Sequence, residues 1–411
     1  MEVVVNPTSC IIDEILHIKG SNLTAYALVT FYATMADDDG CVWHSRAYYI
    51  ADVHGEVDVI TAPSVGGSYT GVQPMGLVWS MAIKGDPDPE KHGFRFVKKD
   101  VTQPLDLVIS IHSGHVNFSD IASAYERDGE EIASCKCKRY YMATGVSRQE
   151  VNDGRLRGAF YMPNGEGPFP GILDFFGSSG GLMEHRSALL ASRGFTVLSL
   201  AFFNYKDLPS WGDIDLEYFE EGVDWLCARP GVFSERGIGV ISVSKGSDIA
   251  LLLPSHVPKV TAVVAINGFD HNTEVEIKYK GEIHKSFPVQ KYREKILTID
   301  EIIRSNDICD FHFEKSTQAR FLLLAGAFDR WANPIASQRM LTRFESSDEK
   351  ELRRCELVVY PGAGHLLEPP FAPFCRYVSG VDFGGERKLH SKAQEQSWAK
   401  IRYFFTECLH Y

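Results

Sequence analysis

The sequence predicts two domains of different class: an antiparallel β-sandwich over residues 1–143, then a parallel α/β sheet over residues 144–411. Three observations predict this. A chain of 411 residues exceeds what one hydrophobic core usually serves. Up to about Tyr141 short alternating apolar runs recur between turn residues, without a strong helix pattern. After Arg148 the rhythm changes to continuous apolar strands separated by amphipathic helices, the pattern of a parallel sheet covered on both faces.

In the first half the strand candidates are AYALVTFYATM, VWHSRAYYIAD, GLVWSMAI, FRFVKK and LDLVISIH, broken by ADDDG and VHGE. Their spacing suits a small immunoglobulin-like sandwich. His112 and His115 close the last of these runs. Two histidines on one strand end invite a metal, but a catalytic zinc needs a third ligand, and such a pair is more often a pair of surface residues. In the second half, Asn152–Asp153–Gly154 signals a hairpin turn. GILDFF then leads into a glycine-rich loop and the helix MEHRSALLASR, which Gly194 ends in the C′ manner. FTVLSLA follows. In LEYFEEGVDWLCARP, Leu216, Phe219, Val223 and Leu226 share one helical face and Pro230 closes the run. GIGVISV, TAVVAI, RFLLLAG and CELVVY are further buried strands, and a last helix aligns Trp398, Ile401 and Phe405. The stretch from Asn267 to Gln318 is longer than a crossover needs, and is read as a cap over a site or a surface excursion.

The net charge of −12 excludes a general nucleic-acid or anionic-membrane surface, since a phosphate polymer would be repelled. The 44% hydrophobic content is ordinary for a globular protein and supplies ample core. Nine scattered cysteines, an odd number, read as reduced thiols, and Cys135–Lys136–Cys137 lacks the second pair a structural zinc needs. No stretch approaches a membrane span, the acidic N-terminal run is unlike a signal or transit peptide, and ECLHY is not an S-K-L ending. A cytoplasmic location is the resulting expectation. No pattern calls for a cofactor.

The chemistry gathers at the strand ends, where open α/β sheets place their sites. Ser242–Val243–Ser244–Lys245–Gly246 is close to the G-x-S-x-G nucleophile elbow, with serine for the first glycine. Asp329 follows RFLLLAGAF and His365 follows CELVVYPGAG. The order Ser, Asp, His is that of the α/β-hydrolase fold. A serine hydroxyl is un-ionised at neutral pH, so a histidine must take its proton, and an aspartate fixes the imidazole tautomer. An oxyanion needs donors: the Lys245 N–H, and one from the loop Gly177–Gly181, with Gly177 and Ser178 as candidates. Each residue also has a plainer role open to it. An x-x-S-x-G arises by chance, Asp329 suits a cap before Pro334, and a single histidine often satisfies a loop carbonyl. The loop GSSGG lacks both the P-loop lysine and the dinucleotide spacing. Four such features in order on strand ends favour the hydrolase reading.

Over nearly its whole length the chain resembles the type-I acyl-CoA thioesterases and bile acid-CoA:amino acid N-acyltransferases. The resemblance rests on APSVGGSYTGVQPMGLVWSM and VKKDVTQPL in the first half. In the second it rests on GPFPGILDFFGSSGGLMEHRSALLASRGFTVLSLAFFNYKDLP, LEYFEEGVDWL, SKG, INGF, YKGE, YPGAGHLLEPPFAPFC and FGGERKLHSKAQEQSWAKIRYFF. It implies a β-sandwich before an α/β-hydrolase domain, Ser244 as nucleophile, His365 as base, and acyl-CoA as substrate with CoA as product. The family's acid lies in a Q-D-D-type stretch that reads Ala327–Phe328–Asp329 here, so Asp329 alone remains. Ser242 departs from the usual elbow glycine. The resemblance also implies that the acyltransferases use cysteine and the thioesterases serine, so Ser244 favours hydrolysis. Lys245, Arg330 and Lys206 are candidates for CoA phosphates, or solvated surface charges. Phe175, Phe176, Phe202 and Phe203 are candidates for an acyl channel, or core.

Overall fold

The structure, a computed structural model, describes residues 1–85, 95–117, 131–286, 319–332, 334–346, 354–378 and 381–410. The chain divides into two compact units. One comprises Met1–Ala143 with Glu368–Asp382; the other comprises Thr144–Leu367 with Phe383–Tyr411. The short segment Glu368–Asp382 thus leaves the second half of the sequence to join the first unit.

Among the described residues the first unit holds three sheets, the smallest being the antiparallel pair Tyr377–Val378 and Val381–Asp382. Glu2–Asn6, His17–Ser21 and Val57–Asp58 form a three-stranded antiparallel sheet. The larger, seven-stranded sheet runs in the order Ser9–Ile11, Glu131–Tyr140, Leu105–Ser113, Leu28–Ala36, Val42–Ile50 and Gly66–Gly67, with Ala82–Ile83 also on Val42–Ile50. Strict alternation along Val42–Ile50 turns Trp43, Ser45, Ala47 and Tyr49 inward, as a half-buried strand requires. Two expected strands differ. GLVWSMAI contains the helical turn Gly76–Trp79 before the short strand Ala82–Ile83, because an apolar run buried on all sides has no period that selects strand over helix. The described part of FRFVKK is not a strand. Asp38 holds it instead, accepting from Lys98 Nζ at 2.9 Å and from the Lys99 backbone N–H at 2.7 Å.

In the second unit we number the main strands β1 (Ser147–Asp153), β2 (Leu156–Met162), β3 (Phe169–Asp174), β4 (Thr196–Ala201), β5 (Ile238–Val243), β6 (Val260–Ile266), β7 (Arg320–Gly326) and β8 (Cys355–Tyr360). They lie in the order β1-β2-β4-β3-β5-β6-β7-β8, and Val232–Phe233 pairs with β3 as a ninth strand. From β4 to β8 every neighbour is parallel, while β2 runs antiparallel to both β1 and β4. This is an α/β-hydrolase fold. The β1–β2 register pairs Asp153 with Leu156, so the turn falls on Gly154 (φ +52°) and Arg155, one step beyond the expected position. The glycine takes the left-handed place, which is why the turn moves to it.

Among the described residues of this unit the helices are α1 (His185–Ser192), α2 (Leu216–Cys227), α3 (Lys245–His256), α4 (Pro334–Ser346) and α5 (Arg387–Leu409). Helix α1 stops as expected, with Gly194 at φ +96°. Asp215 caps α2 by accepting from the Glu217 N–H at 2.9 Å, and the predicted face Leu216, Phe219, Val223 and Leu226 is buried. Every residue of β4 and β5 is buried, so the sheet centre is rigid where β5 delivers the chain to α3. Within 267–286 the described part of the long insertion carries the strand pair Ile277–Tyr279 and Glu282–His284; its remainder, 287–318, lies outside the described residues.

Candidate active site

Ser244 stands alone between β5 and α3 at φ 57°, ψ −135°. A non-glycine residue held there stores roughly 1–3 kcal/mol of backbone strain, so its neighbours must over-determine it. They do. The Ser244 N–H donates to Ile266 O of β6 at 2.9 Å, and Ser244 O accepts from the Ser247 N–H at 2.8 Å. A Cβ on Gly246 would stand 1.9 Å from Ser242 Oγ and 2.5 Å from Phe176 O, so only glycine fits. Ser242, the departure from the usual elbow glycine, is a structural tie. Its hydroxyl donates to Phe175 O at 2.7 Å and joins β5 to the start of the glycine loop. The bend leaves Ser244 half-buried, with no hydrogen-bond partner for its hydroxyl among the described residues.

Asp329 and His365, from the ends of β7 and β8, meet. His365 Nδ1 lies 2.7 Å from Asp329 Oδ2, and both side chains are buried. A carboxylate there requires the proton on Nδ1, which leaves Nε2 as an acceptor. The other carboxylate oxygen, Oδ1, accepts from the Trp331 and Ala332 N–H groups at 2.7 and 3.0 Å. Asp329 therefore both caps the following turn and orients the histidine. Phe383 stacks on the imidazole, with ring centroids 4.9 Å apart, and its carbonyl accepts from the His365 N–H at 2.9 Å.

Two further residues set the histidine loop, and neither is visible in sequence. Asn267, buried at φ 49° just past β6, donates from Nδ2 to His365 O at 2.6 Å and Gly364 O at 3.3 Å. Its Oδ1 accepts from the Gly326 N–H at 2.8 Å, so one side chain joins the ends of β6 and β7 to the loop after β8. His390 of α5 grips both neighbours of His365: Nδ1 accepts from the Gly364 N–H, and Nε2 donates to Leu366 O, each at 2.9 Å. The only sequence traces of these roles are INGF and the H of ERKLHSK.

The glycine loop reaches the elbow at Gly177. A Cβ there would be 2.8 Å from Val243 O, 2.9 Å from Ser244 Cβ and 3.5 Å from the Lys245 nitrogen. Its base is fixed by a buried cluster in which Arg186 Nε and Ser187 Oγ donate to Asp174 at 3.0 and 2.7 Å, while Arg186 Nη2 donates to Phe175 O at 2.9 Å. Ser178 is exposed, and its hydroxyl donates to Glu274 Oε2 at 2.7 Å.

The arrangement can be set beside known proteins. Residues 13–153 match the family model described as the acyl-CoA thioester hydrolase/BAAT N-terminal region, and residues 214–411 match BAAT/acyl-CoA thioester hydrolase C terminal. Human bile acid-CoA:amino acid N-acyltransferase is 37% identical, aligned over 100% of this chain and 98% of its own. The chain belongs to the acyl-CoA thioester hydrolase/BAAT family. Human acyl-coenzyme A thioesterase 1 is 34% identical over 96% of this chain and 94% of its own, and mouse acyl-coenzyme A amino acid N-acyltransferase 1 is 36% identical over 100% and 98%. Among solved structures, a dienelactone hydrolase-like phosphotriesterase from metagenomic libraries aligns over 64% of this chain and 98% of its own at 17% identity, TM-score 0.45. This member of the family is an enzyme.

Against the family expectations, the structure removes Lys245 as a phosphate ligand. Its ammonium is buried, 3.4 Å from Asp248 Oδ2, and donates to Asn272 Oδ1 and Thr273 O. Burial pushes the Lys245 ammonium down and the Asp248 carboxyl up, each countered in part by the other's charge. The Lys245 backbone N–H, at the start of α3, is a separate matter and stays available to an anion. Lys206 is already paired with Glu150, while Arg330 is exposed. Phe175 is core, packed on Phe219 at 4.8 Å, and Phe176 lies against His185; Phe202 and Phe203 line a cavity. His112 and His115 do not converge: one bonds Ser110 Oγ at 2.9 Å and the other Tyr49 O at 3.1 Å. The metal-type donors that do cluster among the described residues are those of His256, Glu282 and His284, within 4.8 Å of one another, at the far end of α3 from Ser244. Among the described residues no helix is long and apolar enough to cross a membrane.

Proposed function

We propose that this enzyme is an acyl-CoA thioesterase that hydrolyses fatty acyl-CoA to fatty acid and CoA through an acyl-serine intermediate, a step of lipid metabolism. In this reading residues 144–411 are the catalytic domain and residues 1–143 an immunoglobulin-like sandwich. Ser244 is the nucleophile, His365 the general base and Asp329 the residue that orients it. Ser244 Oγ attacks the thioester carbonyl as His365 Nε2 takes its proton. The oxyanion rests on the Lys245 N–H and on a second N–H from Gly177 or Ser178; one such donor is typically worth about 3 kcal/mol of barrier. The tetrahedral adduct collapses, and CoA leaves as the thiol with the proton held by His365. Water, deprotonated by the same nitrogen, then opens the acyl-serine ester and frees the acid.

The observation that carries the reading is a serine at the strained elbow, with a buried His365–Asp329 pair 2.7 Å apart on the neighbouring strand ends. Overall similarity does not choose between hydrolysis and amide transfer, because relatives bearing either kind of name align over nearly the full chain at 34–37% identity. A serine at the elbow favours hydrolysis. An oxygen ester is less prone to amine attack than a thioester, so acyl-Ser244 is completed by water. Contacts that are loose before substrate binds tighten in the Michaelis complex, so the open Ser244 hydroxyl is compatible with this role.

The test is release of free CoA from a panel of short, medium and long acyl-CoAs, with and without glycine or taurine, wild type beside Ser244→Ala. Acid as the product under both conditions, with kcat reduced roughly 10⁶-fold by the substitution, is the expected result. Amide product would move the enzyme to the transferase branch. Unchanged CoA release from the alanine variant would remove Ser244 as nucleophile.

A further inference from the structure

A cavity of about 250 Å³ opens in the second unit at the C-terminal end of β4. Its apolar wall is Phe202, Leu208, Trp211, Ile214, Tyr218 and Phe219. The aromatic rings support one another: Phe202 packs on Phe219 at 5.4 Å and on Phe203 at 4.9 Å, and Phe203 packs on Trp211 at 4.6 Å. Charges at the rim are already matched. Arg157 grips both oxygens of Asp207 at 2.6 Å, Arg155 bridges Asp215 and Glu221 at 2.5 and 2.8 Å, and Asp213 holds Lys278 at 2.6 Å. No phosphate is invited by guanidinium groups so engaged, and the wall within offers a charged group nothing. The cavity suits a neutral apolar ligand.

Its place in the sheet ties it to Ser244. Strand β4 is separated from β5 by β3 alone, and all three end at the same edge. Two strand spacings, about 10 Å, therefore lie between them. The glycine loop spans that gap. At one end Gly177 lies against Ser244; at the other the Gly181 N–H donates to Phe203 O at 3.1 Å, and a Cβ on Gly180 would be 2.8 Å from the Phe203 ring.

We propose that this cavity seats the distal apolar end of the acyl group while its thioester carbonyl lies at Ser244. The inference rests on the acyl-CoA reading above, but not on whether water or an amine completes the reaction. An apolar cavity of about 150 Å³ takes benzene, so in proportion 250 Å³ takes roughly ten carbons. Part of the chain is needed to cross from Ser244 to the mouth. Short acyl groups therefore end before the cavity, long straight ones fill it, and a fused-ring steroid nucleus exceeds it. The substrate class is long unbranched acyl-CoA.

The test uses S-alkyl-CoA thioethers, which cannot be hydrolysed, from two to eighteen carbons. They are titrated calorimetrically into the full chain as wild type, Leu208→Trp and Trp211→Ala. Melting temperature and circular dichroism check that each variant is folded. For wild type, affinity should be flat for short alkyl groups, rise about fourfold per methylene over the range that enters the cavity, then level. Leu208→Trp should level at shorter chains and Trp211→Ala at longer ones. Opposite shifts from filling and enlarging are hard to obtain from general destabilisation. One shared length profile for all three folded proteins, with wild type still releasing CoA from acyl-CoAs, overturns the cavity assignment alone. No thioether binding and no CoA release at any length overturns the acyl-CoA reading itself, and the assignment with it.

Discussion

Replacing Asn267 should damage the site from outside the reacting atoms. The side chain is buried and bonds His365 O at 2.6 Å and the Gly326 N–H at 2.8 Å. Removing its amide leaves two backbone groups without these partners in a dry interior, each worth about 1–3 kcal/mol when unsatisfied. Asn267 also sits at φ 49°, a region alanine enters at a further cost of roughly 1–2 kcal/mol and glycine enters freely. The series Asn267→Gly, Asn267→Ala and Asn267→Asp separates these effects. Glycine reports the lost hydrogen bonds, about 2–6 kcal/mol, and alanine adds the strain. Aspartate keeps an acceptor for Gly326 but turns an oxygen toward the His365 carbonyl. Denaturant unfolding of each protein measures stability, and acyl-CoA turnover measures whether His365 has moved; kcat should fall with KM little changed. A glycine variant within about 0.5 kcal/mol of wild type would refute the bridging argument, because a typical surface change is that small.

Gly246→Ala should destabilise by about 3 kcal/mol or more in thermal and denaturant unfolding, since the new methyl meets Ser242 Oγ and the Phe176 carbonyl; adding Ser242→Gly should restore only part, because the carbonyl contact remains. In Asp329→Asn the Trp331 and Ala332 N–H groups hold the amide oxygen, so Nδ2 faces His365 and forces the wrong tautomer. Single-turnover kinetics should show roughly a 10⁴-fold fall with the fold intact. Ser244→Cys should raise the share of amide product when glycine or taurine is present, read by mass spectrometry, because a thioester intermediate accepts amines. His44 supplies a pH test in the first unit: burial lowers its pKa from 6.5 to about 4. Above pH 6.5 neither state is protonated and stability is full; as pH falls toward 4 the unfolded chain takes a proton the native one refuses, so stability is lost. The full shift is worth about 3 kcal/mol, which solvent around a half-buried ring reduces to about 1–2, and His44→Gln should flatten that part of the unfolding profile.

What was legible in the sequence was what local order writes there. Ser244, Asp329 and His365 could be placed because each follows an apolar run that reads as a buried strand, and a parallel sheet delivers successive strand ends to one edge. The helix stop at Gly194 and the buried face Leu216, Phe219, Val223 and Leu226 were equally local. GLVWSMAI failed for the converse reason: buried all round, it has no polar face to report a period. The supports of the site escaped because they are contacts across the fold. Asn267 meets residues 59 and 98 positions away, His390 meets residues 26 and 24 away, and Ser242 finds its acceptor 67 residues back. Each satisfies a backbone group that the sheet leaves unpaired at its edge, and which group that is depends on where the strands stop. A strand-end site thus brings its own requirement for buried polar side chains. The elbow that strains Ser244 and the loop that presents His365 are held by hydrogen bonds that no window of sequence contains. The departure at Ser242 makes the point in one atom. Read locally it is a glycine position made worse; in the fold its hydroxyl is the tie between the strand that ends at Ser244 and the loop that faces it.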